Sequence, residues 1–451
     1  MRRAETVEAV SSVFFFQDQI FVVVRQNHLE AFPGYHAFPG GKIDSQDHAS
    51  NSSSNFPELN PVHLSALHRE MKEELDFDLQ KGIAEGTISS IEPLAEIAAP
   101  SFAQIPFRNW FYRIDLKESP EFILDEGEFA SGTWMTPQNL LQTYQEGEAL
   151  MVPPLRRMIR LLQEDPQTTN LGDLSRKFDE SQNIPELEMQ EGVRILMIPS
   201  HTLPPAERTN AFRLGDPGSP QILVDPSPKS EEIYQVLLQQ MKEENLDALF
   251  LTHHHPDHHQ HAPDLARELG VPIYLSQDCY QRILGKFQQD YFHGVEIRVL
   301  FEGDSVTRWH GEEVRVFEVP GHDAGQLALA PESLSWFIVG DLIQGIGTVV
   351  ISEPEGDMAT YFKTLEKVIK LQPSVIMPSH GIPMRGTFRL EATLQHRRER
   401  EKQVLSLFHQ GRTEQQMLES IYQDIPPMLY PYALKNIQSH LRKLRQENRL
   451  V

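Results

Sequence analysis

The sequence predicts a multidomain chain of mixed α/β and α+β class. Three observations lead there: an alternating hairpin pattern with an acidic amphipathic helix at the start, a middle of short apolar runs that end in histidine or aspartate and alternate with helical periodicity, and a basic helical stretch at the end. A length of 451 residues suggests about two to four domains, each able to bury its own core. A composition of 39% hydrophobic and 23% charged residues is ordinary for soluble globular protein. The single cysteine, Cys279, rules out a disulfide within the chain and favours a reducing compartment. The opening residues lack a signal-peptide pattern, and no apolar run nears the ~18 residues of a membrane span, so the expectation is a cytoplasmic protein without membrane association. A net charge of −23 argues against indiscriminate binding to nucleic acid or anionic membranes. Residues 381–451 depart from it, with 12 Lys and Arg against 7 Asp and Glu, or +5, leaving −28 elsewhere.

In chain order, Val13–Phe16 and Ile20–Val24, separated by Gln17-Asp18-Gln19, read as a hairpin. Ala37-Phe38-Pro39-Gly40-Gly41-Lys42-Ile43-Asp44 follows, then a Ser- and Asn-rich surface loop from His48 to Pro61. Leu64, Leu67, Met71 and Leu75 mark one apolar helix face. On the other side Glu70, Glu73 and Glu74 stand at i, i+3 and i+4, so three carboxylates should converge on one surface. A hard divalent cation would relieve their repulsion and bridge to a diphosphate.

Gly41 together with Arg69-Glu70-Met71-Lys72-Glu73-Glu74 resembles the Nudix box. Three features depart from that box: Asp47 stands at the first glutamate position, the spacer is 21 residues long (His48–His68), and Asp76 replaces the late glycine. Aspartate tolerates a left-handed backbone better than most residues. The resemblance implies a Nudix α/β/α fold over residues 1–165. In it Glu70, Glu73 and Glu74 hold Mg²⁺ or Mn²⁺, Glu73 and Glu74 help activate water, and Arg69 orients Glu73. It implies a nucleoside diphosphate or coenzyme A derivative as substrate; an inactive Nudix scaffold that senses a nucleotide is the alternative. Pro154 and a helix from Leu155 to Leu162 close this domain, and the polar stretch that follows gives an expected linker over residues 166–190.

Strand-like runs resume at Val193–Ile198, Asn210–Leu214 and Ile222–Asp225, with a helix over Ser230–Glu244. The apolar run Leu246–Leu251 then meets Thr252-His253-His254-His255-Pro256-Asp257-His258-His259, followed by a helical pattern from His258 to Leu269. Alternate residues of an extended turn point the same way, so His253 and His255 can grip one ion while Asp257 and His258 face a second. Imidazole and carboxylate form a ligand set that suits zinc. Three further groups each follow a strand-like run: Pro320-Gly321-His322-Asp323, Gly340-Asp341 and Ser379-His380-Gly381.

These motifs, in this order over residues 191–390, resemble the metallo-β-lactamase superfamily. The resemblance implies an αββα sandwich with two zinc ions. His253, His255 and His322 would hold the first, Asp257, His258 and His380 the second, and Asp341 would bridge both. Asp225 matches an aspartate that supports the ligands in that family. Two such ions lower the pKa of a bridging water, so metal-bound hydroxide is the expected nucleophile and no Ser or Cys is required. Protonation of the leaving group is left open between Asp257 and metal-bound water. Ser352–Asp357 reads either as a substrate-side loop or as a helix-entry turn in which Asp357 caps the helix Met358–Leu371.

Residues 391–451 read as three helices. Thr413 should cap the second; in the third, Leu434, Ile437, Leu441 and Leu444 should face inward and Lys435, Arg442, Lys443 and Arg445 outward. With Gly340-Asp341, Gly345 and Gly347-Thr348, this tail resembles the winged helix of the β-lactamase-like-protein-2 subfamily. That implies a phosphodiesterase acting as a single-stranded endoribonuclease, with the tail binding RNA or serving a structural role. A thioesterase of the acyl-CoA or hydroxyacylglutathione kind is the alternative, and the oligomeric state is left open.

Overall fold

The computed structural model describes residues 6–49, 59–103, 106–287 and 290–450. Most of the Ser- and Asn-rich loop, residues 50–58, lies outside them. The chain forms two compact units, the first running to Asp179 and taking in Glu188–Glu191, the second holding Glu180–Leu187 and Gly192–Val451. No helix among the described residues is long and apolar enough to cross a membrane.

In the first unit, strands Val7–Phe16 and Gln19–Arg25 form the hairpin, turning at Gln17 in a left-handed conformation. Val7–Phe16 also pairs in parallel with Phe107–Leu116, which carries Ile88–Ala98 beyond it. Side chains alternate across this sheet. Val10 and Phe14 pack with Leu64, Leu67, Met71 and Leu75 of the helix Pro61–Leu75. Val13 and Phe15 face the other way, onto helices Pro137–Gln145 and Pro153–Glu164. The result is one sheet between two helical layers, with each buried Leu, Met or Phe contributing about 1.5–3 kcal/mol. Asn60 caps the helix Pro61–Leu75 by accepting from Val62 N at 2.9 Å, and Asp76 ends it at φ 48°.

The linker expected over residues 166–190 is partly structured. Gly172–Asp173 pairs with Ala95 and Glu96 at the sheet edge, and Leu174 is buried. Arg113 donates to the carbonyls of Pro166 and Thr168, and Glu186–Gln190 is a strand. Docking of this kind runs mainly through backbone groups, which apolar periodicity does not register.

The second unit holds two sheets. One runs in the order Ile297–Val299, Ile273–Leu275, Ala248–Phe250, Ile222–Val224, Arg208–Leu214, Val193–Pro199, its first four strands parallel. The other runs Ser305–Trp309, Glu312–Glu318, Leu327–Pro331, Phe337–Gly340, Val375–Pro378, Met384–Arg385. Helices Glu231–Lys242 and Ala262–Leu269 bury Leu237, Met241 and Leu265 against the first sheet. Met358–Leu371 buries Tyr361 and Leu365 against the second. The single helix expected from His258 to Leu269 is two, Pro256–His259 and Ala262–Leu269, broken at His261. Pro263 lacks an N–H and its ring clashes with the carbonyl four residues back, so a continuous helix cannot form. Helices Phe388–His409, Glu414–Ile421 and Tyr430–Gln446 complete this unit, the second capped by reciprocal Thr413 and Gln416 hydrogen bonds.

Candidate metal centre

Parallel strands bring their carboxyl ends to the same edge, and that edge is where the polar residues collect. His253 and His255 leave Ala248–Phe250; Asp257 and His258 occupy the short helix after it. From the second sheet come His322 after Glu312–Glu318, Asp341 directly after Phe337–Gly340, and His380 after Val375–Pro378. Gly321, at φ 141°, lets the loop carrying His322 press onto the helix Met358–Leu371, since a Cβ there would lie 2.4 Å from Tyr361 Cα.

The structure brings together all seven residues that the sequence singled out here. His255 Nδ1 lies 2.9 Å from both His253 Nε2 and His322 Nε2. Asp257 Oδ2 lies 3.5 Å from His380 Nε2 and 3.8 Å from His258 Nε2. Asp341 stands between the clusters, with Oδ2 3.7 Å from His322 Nε2 and Oδ1 3.4 Å from His380 Nε2. Ligand atoms around a tetrahedral ion with bonds of about 2.0–2.1 Å are roughly 3.3 Å apart, close to these spacings.

Tautomers make the case sharper. A carbonyl or carboxylate can only accept, so it fixes a proton on the ring nitrogen facing it. His322 Nδ1 donates to Val350 O, His380 Nδ1 to Arg208 O, His258 Nδ1 to Asp225 and His255 Nε2 to Glu355. Thr252 Oγ1 gives its proton to Asp225 and so accepts from His253 Nδ1. Every histidine therefore turns a lone pair inward. Three such lone pairs within hydrogen-bond distance have no proton between them, and His258 Nε2 and Asp341 Oδ1, 3.7 Å apart, are buried without a hydrogen bond. A cation supplies what these donors lack, so the residues fit two ions, one in each cluster.

Electrostatics agree. Burial, with His258 and His255 nearby, holds His253 well below the usual imidazole range; burial and His255 bring His322 down to about 4. Burial opposes charge on His258, but Asp257, Asp225 and Asp341 outweigh it and raise its pKa, so protons and a cation would compete there.

Residues 205–380 match the profile of the metallo-β-lactamase superfamily. The chain carries a metallo-β-lactamase domain. Behind it, residues 413–451 match the β-lactamase-associated winged helix domain. The chain is similar to the "Beta-lactamase-like protein 2 homolog" of Drosophila melanogaster, at 29% identity over 257 residues, covering 54% of this chain and 84% of that relative. Over 135 residues it is 31% identical to the "Hydroxyacylglutathione hydrolase" of Bdellovibrio bacteriovorus, covering 30% of this chain and 48% of the other. Among solved structures, a β-lactamase domain protein from Burkholderia ambifaria superposes with a TM-score of 0.49 at 23% identity, covering 59% of this chain and 89% of that one. A Nudix hydrolase from Alicyclobacillus acidocaldarius superposes with a TM-score of 0.30 at 17% identity, covering 36% and 93%.

The metallo-β-lactamase domain contains supports that the sequence did not reveal. Glu355, 100 residues from His255, takes hydrogen bonds from His254, His255 and Lys286, which hold its carboxyl far below the usual range. The buried His254 also meets Asp323. The only signal was the Ser352–Asp357 loop; in the structure Asp357 caps its helix by accepting from Thr360 N at 2.8 Å. The same loop meets the tail. Ile351 N donates to Asn436 and Ile351 O accepts from Ser439, one residue from the carbonyl that orients His322.

The outward basic face expected on the last helix is present in part: Lys435 and Arg445 are exposed, whereas Arg442 is half-buried and Lys443 turns inward. Ile437, Leu441 and Leu444 are buried, but so is Lys443, whose side chain is 8% exposed, bonds to Glu401 at 2.8 Å and lies over the Phe362 ring. Arg442 pairs with Glu353. The amphipathic stripe is wider than four leucine-type positions indicate, and one lysine falls inside it.

In the first unit Glu70, Glu73 and Glu74 stand on the helix Pro61–Leu75, with burial and Glu73 raising the pKa of Glu70, and burial and Glu70 that of Glu74. Among the described residues they form no cluster of metal-holding geometry. Arg69 draws Glu70 to 2.7 Å and Glu73 to 3.2 Å, and it also binds the buried Asp47 at 2.9 Å. Glu74 instead accepts from Gly40 N at 2.7 Å, and burial reinforced by Glu70 pushes its pKa up to about 9. Glu70 sits so close to Gly41 that a Cβ there would meet its carboxylate at 2.4 Å.

Proposed function

We propose that the metallo-β-lactamase domain is a binuclear zinc hydrolase that cleaves phosphodiesters of single-stranded RNA. The observation that carries the two-ion reading is the set of five inward lone pairs with Asp341 between them. His253, His255 and His322 would hold one ion, Asp257, His258 and His380 the other, and Asp341 both. Two divalent ions in such a site polarise the scissile group and acidify a water. The chain's own part is orientation: Asp225, Thr252, Glu355, Val350 O and Arg208 O fix five imidazoles, and the leaving group would take its proton from Asp257 or from metal-bound water. RNA as substrate is supported by the winged helix and by the resemblance to β-lactamase-like protein 2.

The first unit is proposed as a Nudix diphosphatase that uses Mg²⁺ or Mn²⁺ at Glu70, Glu73 and Glu74 on a nucleoside diphosphate or coenzyme A derivative. Its support is the α/β/α layering, the Arg69–Asp47 pair, and the left-handed Asp76 where the Nudix box has glycine. The alternative of an inactive, nucleotide-sensing Nudix unit is favoured by Glu74 being tied to Gly40. A thioesterase reading of the second unit is favoured by the similarity to the hydroxyacylglutathione hydrolase.

The test is incubation of the zinc-loaded protein with labelled single-stranded RNA beside Asp257→Ala and Glu73→Gln. Cleavage lost only in Asp257→Ala is expected. Equal cleavage by wild type and Asp257→Ala would sink the nuclease reading. If neither cleaves RNA while wild type hydrolyses acyl-CoA, the thioesterase reading replaces it.

A further inference from the structure

Beside the centre lies a cavity of about 300 Å³, near the lower end of the range for small-molecule sites. One wall is the loop after Asp341, contributing Gln344 and Thr348. The other is one face of the helix Phe388–His409, contributing Arg389, Thr393, His396 and Arg397 at positions i, i+4, i+7 and i+8. No carboxylate lines it, in a chain of net charge −23.

The two arginines differ in role. Arg397 is 1% exposed, gives one guanidinium hydrogen bond to Val349 O, and leaves its Nε without a partner. Arg389 lines the cavity and is half-buried, and its guanidinium makes no ion pair among the described residues. A buried guanidinium with an unmet donor is costly unless an acceptor arrives, and the planar guanidinium suits phosphate. Burial, with Arg397 and Arg400 close by, lowers the His396 pKa, so the cationic character rests on the arginines. Access to the centre is short: Gln344 lines the cavity and also donates to Asp341 Oδ2 at 3.4 Å. Gly345 N donates to His380 O at 2.7 Å, which binds this wall to the ligand loops.

We propose that this cavity is an anion subsite that receives one phosphate-bearing group of the substrate, with Arg389 as its donor, the buried Arg397 guanidinium as fixed positive charge in its wall and Thr348 as a supporting hydroxyl. The proposal rests on reading the adjacent centre as a hydrolase of a phosphate-bearing substrate. It selects for phosphate whether that phosphate belongs to an RNA strand or to the nucleotide end of coenzyme A.

Calorimetric titration of the zinc-loaded full chain with adenosine 3′,5′-bisphosphate tests it without requiring turnover. Wild type should bind, and Arg389→Glu should bind at least tenfold more weakly with zinc content unchanged; Arg389→Lys should recover part of the loss. Equal binding by wild type and Arg389→Glu, or no binding by wild type, overturns the subsite. Either result leaves RNA cleavage lost in Asp257→Ala, and with it the hydrolase reading, intact. Conversely, Arg389-dependent binding in a protein that cleaves no RNA keeps the subsite and removes the nuclease. An increase in KM on Arg389→Glu for RNA, or for acyl-CoA, assigns the source of the phosphate.

Discussion

Replacing Asp225 with asparagine changes one carboxylate oxygen to an amide nitrogen, at a fully buried position. Asp225 Oδ1 accepts from Thr252 N at 2.8 Å, while Oδ2 accepts from Thr252 Oγ1 at 2.7 Å and from His258 Nδ1 at 2.8 Å. The backbone N–H can only donate, so the amide oxygen must remain toward it and the NH₂ must face the other two. His258 Nδ1 then has to accept, which moves its proton to Nε2, the atom aimed at the second cluster. Thr252 Oγ1 receives a hydrogen bond as well and turns its own proton toward His253 Nδ1, passing the disturbance to the first cluster. Losing such a support for a ligating histidine typically costs 10–100-fold in metal affinity, about 1.4–2.8 kcal/mol at 1.4 kcal/mol per tenfold. Zinc affinity, by competition with a chromophoric chelator, should therefore fall at both ions while far-UV circular dichroism stays unchanged. If Asp225→Asn binds two zinc ions within threefold of wild type, the tautomer argument is wrong.

Three other expectations follow from buried polar groups elsewhere in the chain. Asn436→Ala with Ser439→Ala leaves Ile351 N–H and C=O unpaired, at about 1–3 kcal/mol for each group, and should loosen zinc at His253, His255 and His322 more than at the other cluster; unchanged zinc binding in an intact fold would disconnect the tail from the centre. Burial opposes charge on Glu401, but His440, Lys443 and Arg449 outweigh it and draw its pKa down to about 2 from 4.5. Its stabilisation is therefore present above pH 4.5 and lost as pH falls toward 2. Glu401→Ala, which leaves Lys443 with Glu447 as its acidic partner, should cost about 1.5–3 kcal/mol at neutral pH, and the difference in melting temperature from wild type should shrink toward pH 2; a constant difference would refute the pairing. Glu74, with a pKa raised to about 9, contributes stability below pH 4.5 that is lost as pH rises toward 9. Mg²⁺ held there should displace the proton and raise the melting temperature more at pH 9 than at pH 6, a trend that Glu74→Gln should erase. A shift that is the same at both pH values would count against a cation at Glu74.

The residues of the candidate centre were legible in the sequence because the motifs are local. His253, His255, Asp257 and His258 lie within one strand-to-helix turn, and His322, Asp341 and His380 each follow a strand of their own; short buried strands fix which end each side chain leaves from. The helix Met358–Leu371 and its Asp357 cap were readable for the same reason, since a cap and the N–H that donates to it lie three residues apart. Only the tertiary structure decided what holds those ligands. Glu355 reaches His255 across 100 residues, Asp225 orients His258 from a neighbouring strand, and Lys443 turns inward because Glu401 waits on another helix. The Arg69 guanidinium likewise draws Glu70 and Glu73, while Glu74 goes to Gly40, so three carboxylates on one helix surface do not come into metal-holding geometry. Helical and strand periodicity report which face a residue occupies; the approach of distant segments settles which donor meets which acceptor, because a hydrogen bond or ion pair forms only when both partners arrive at contact distance.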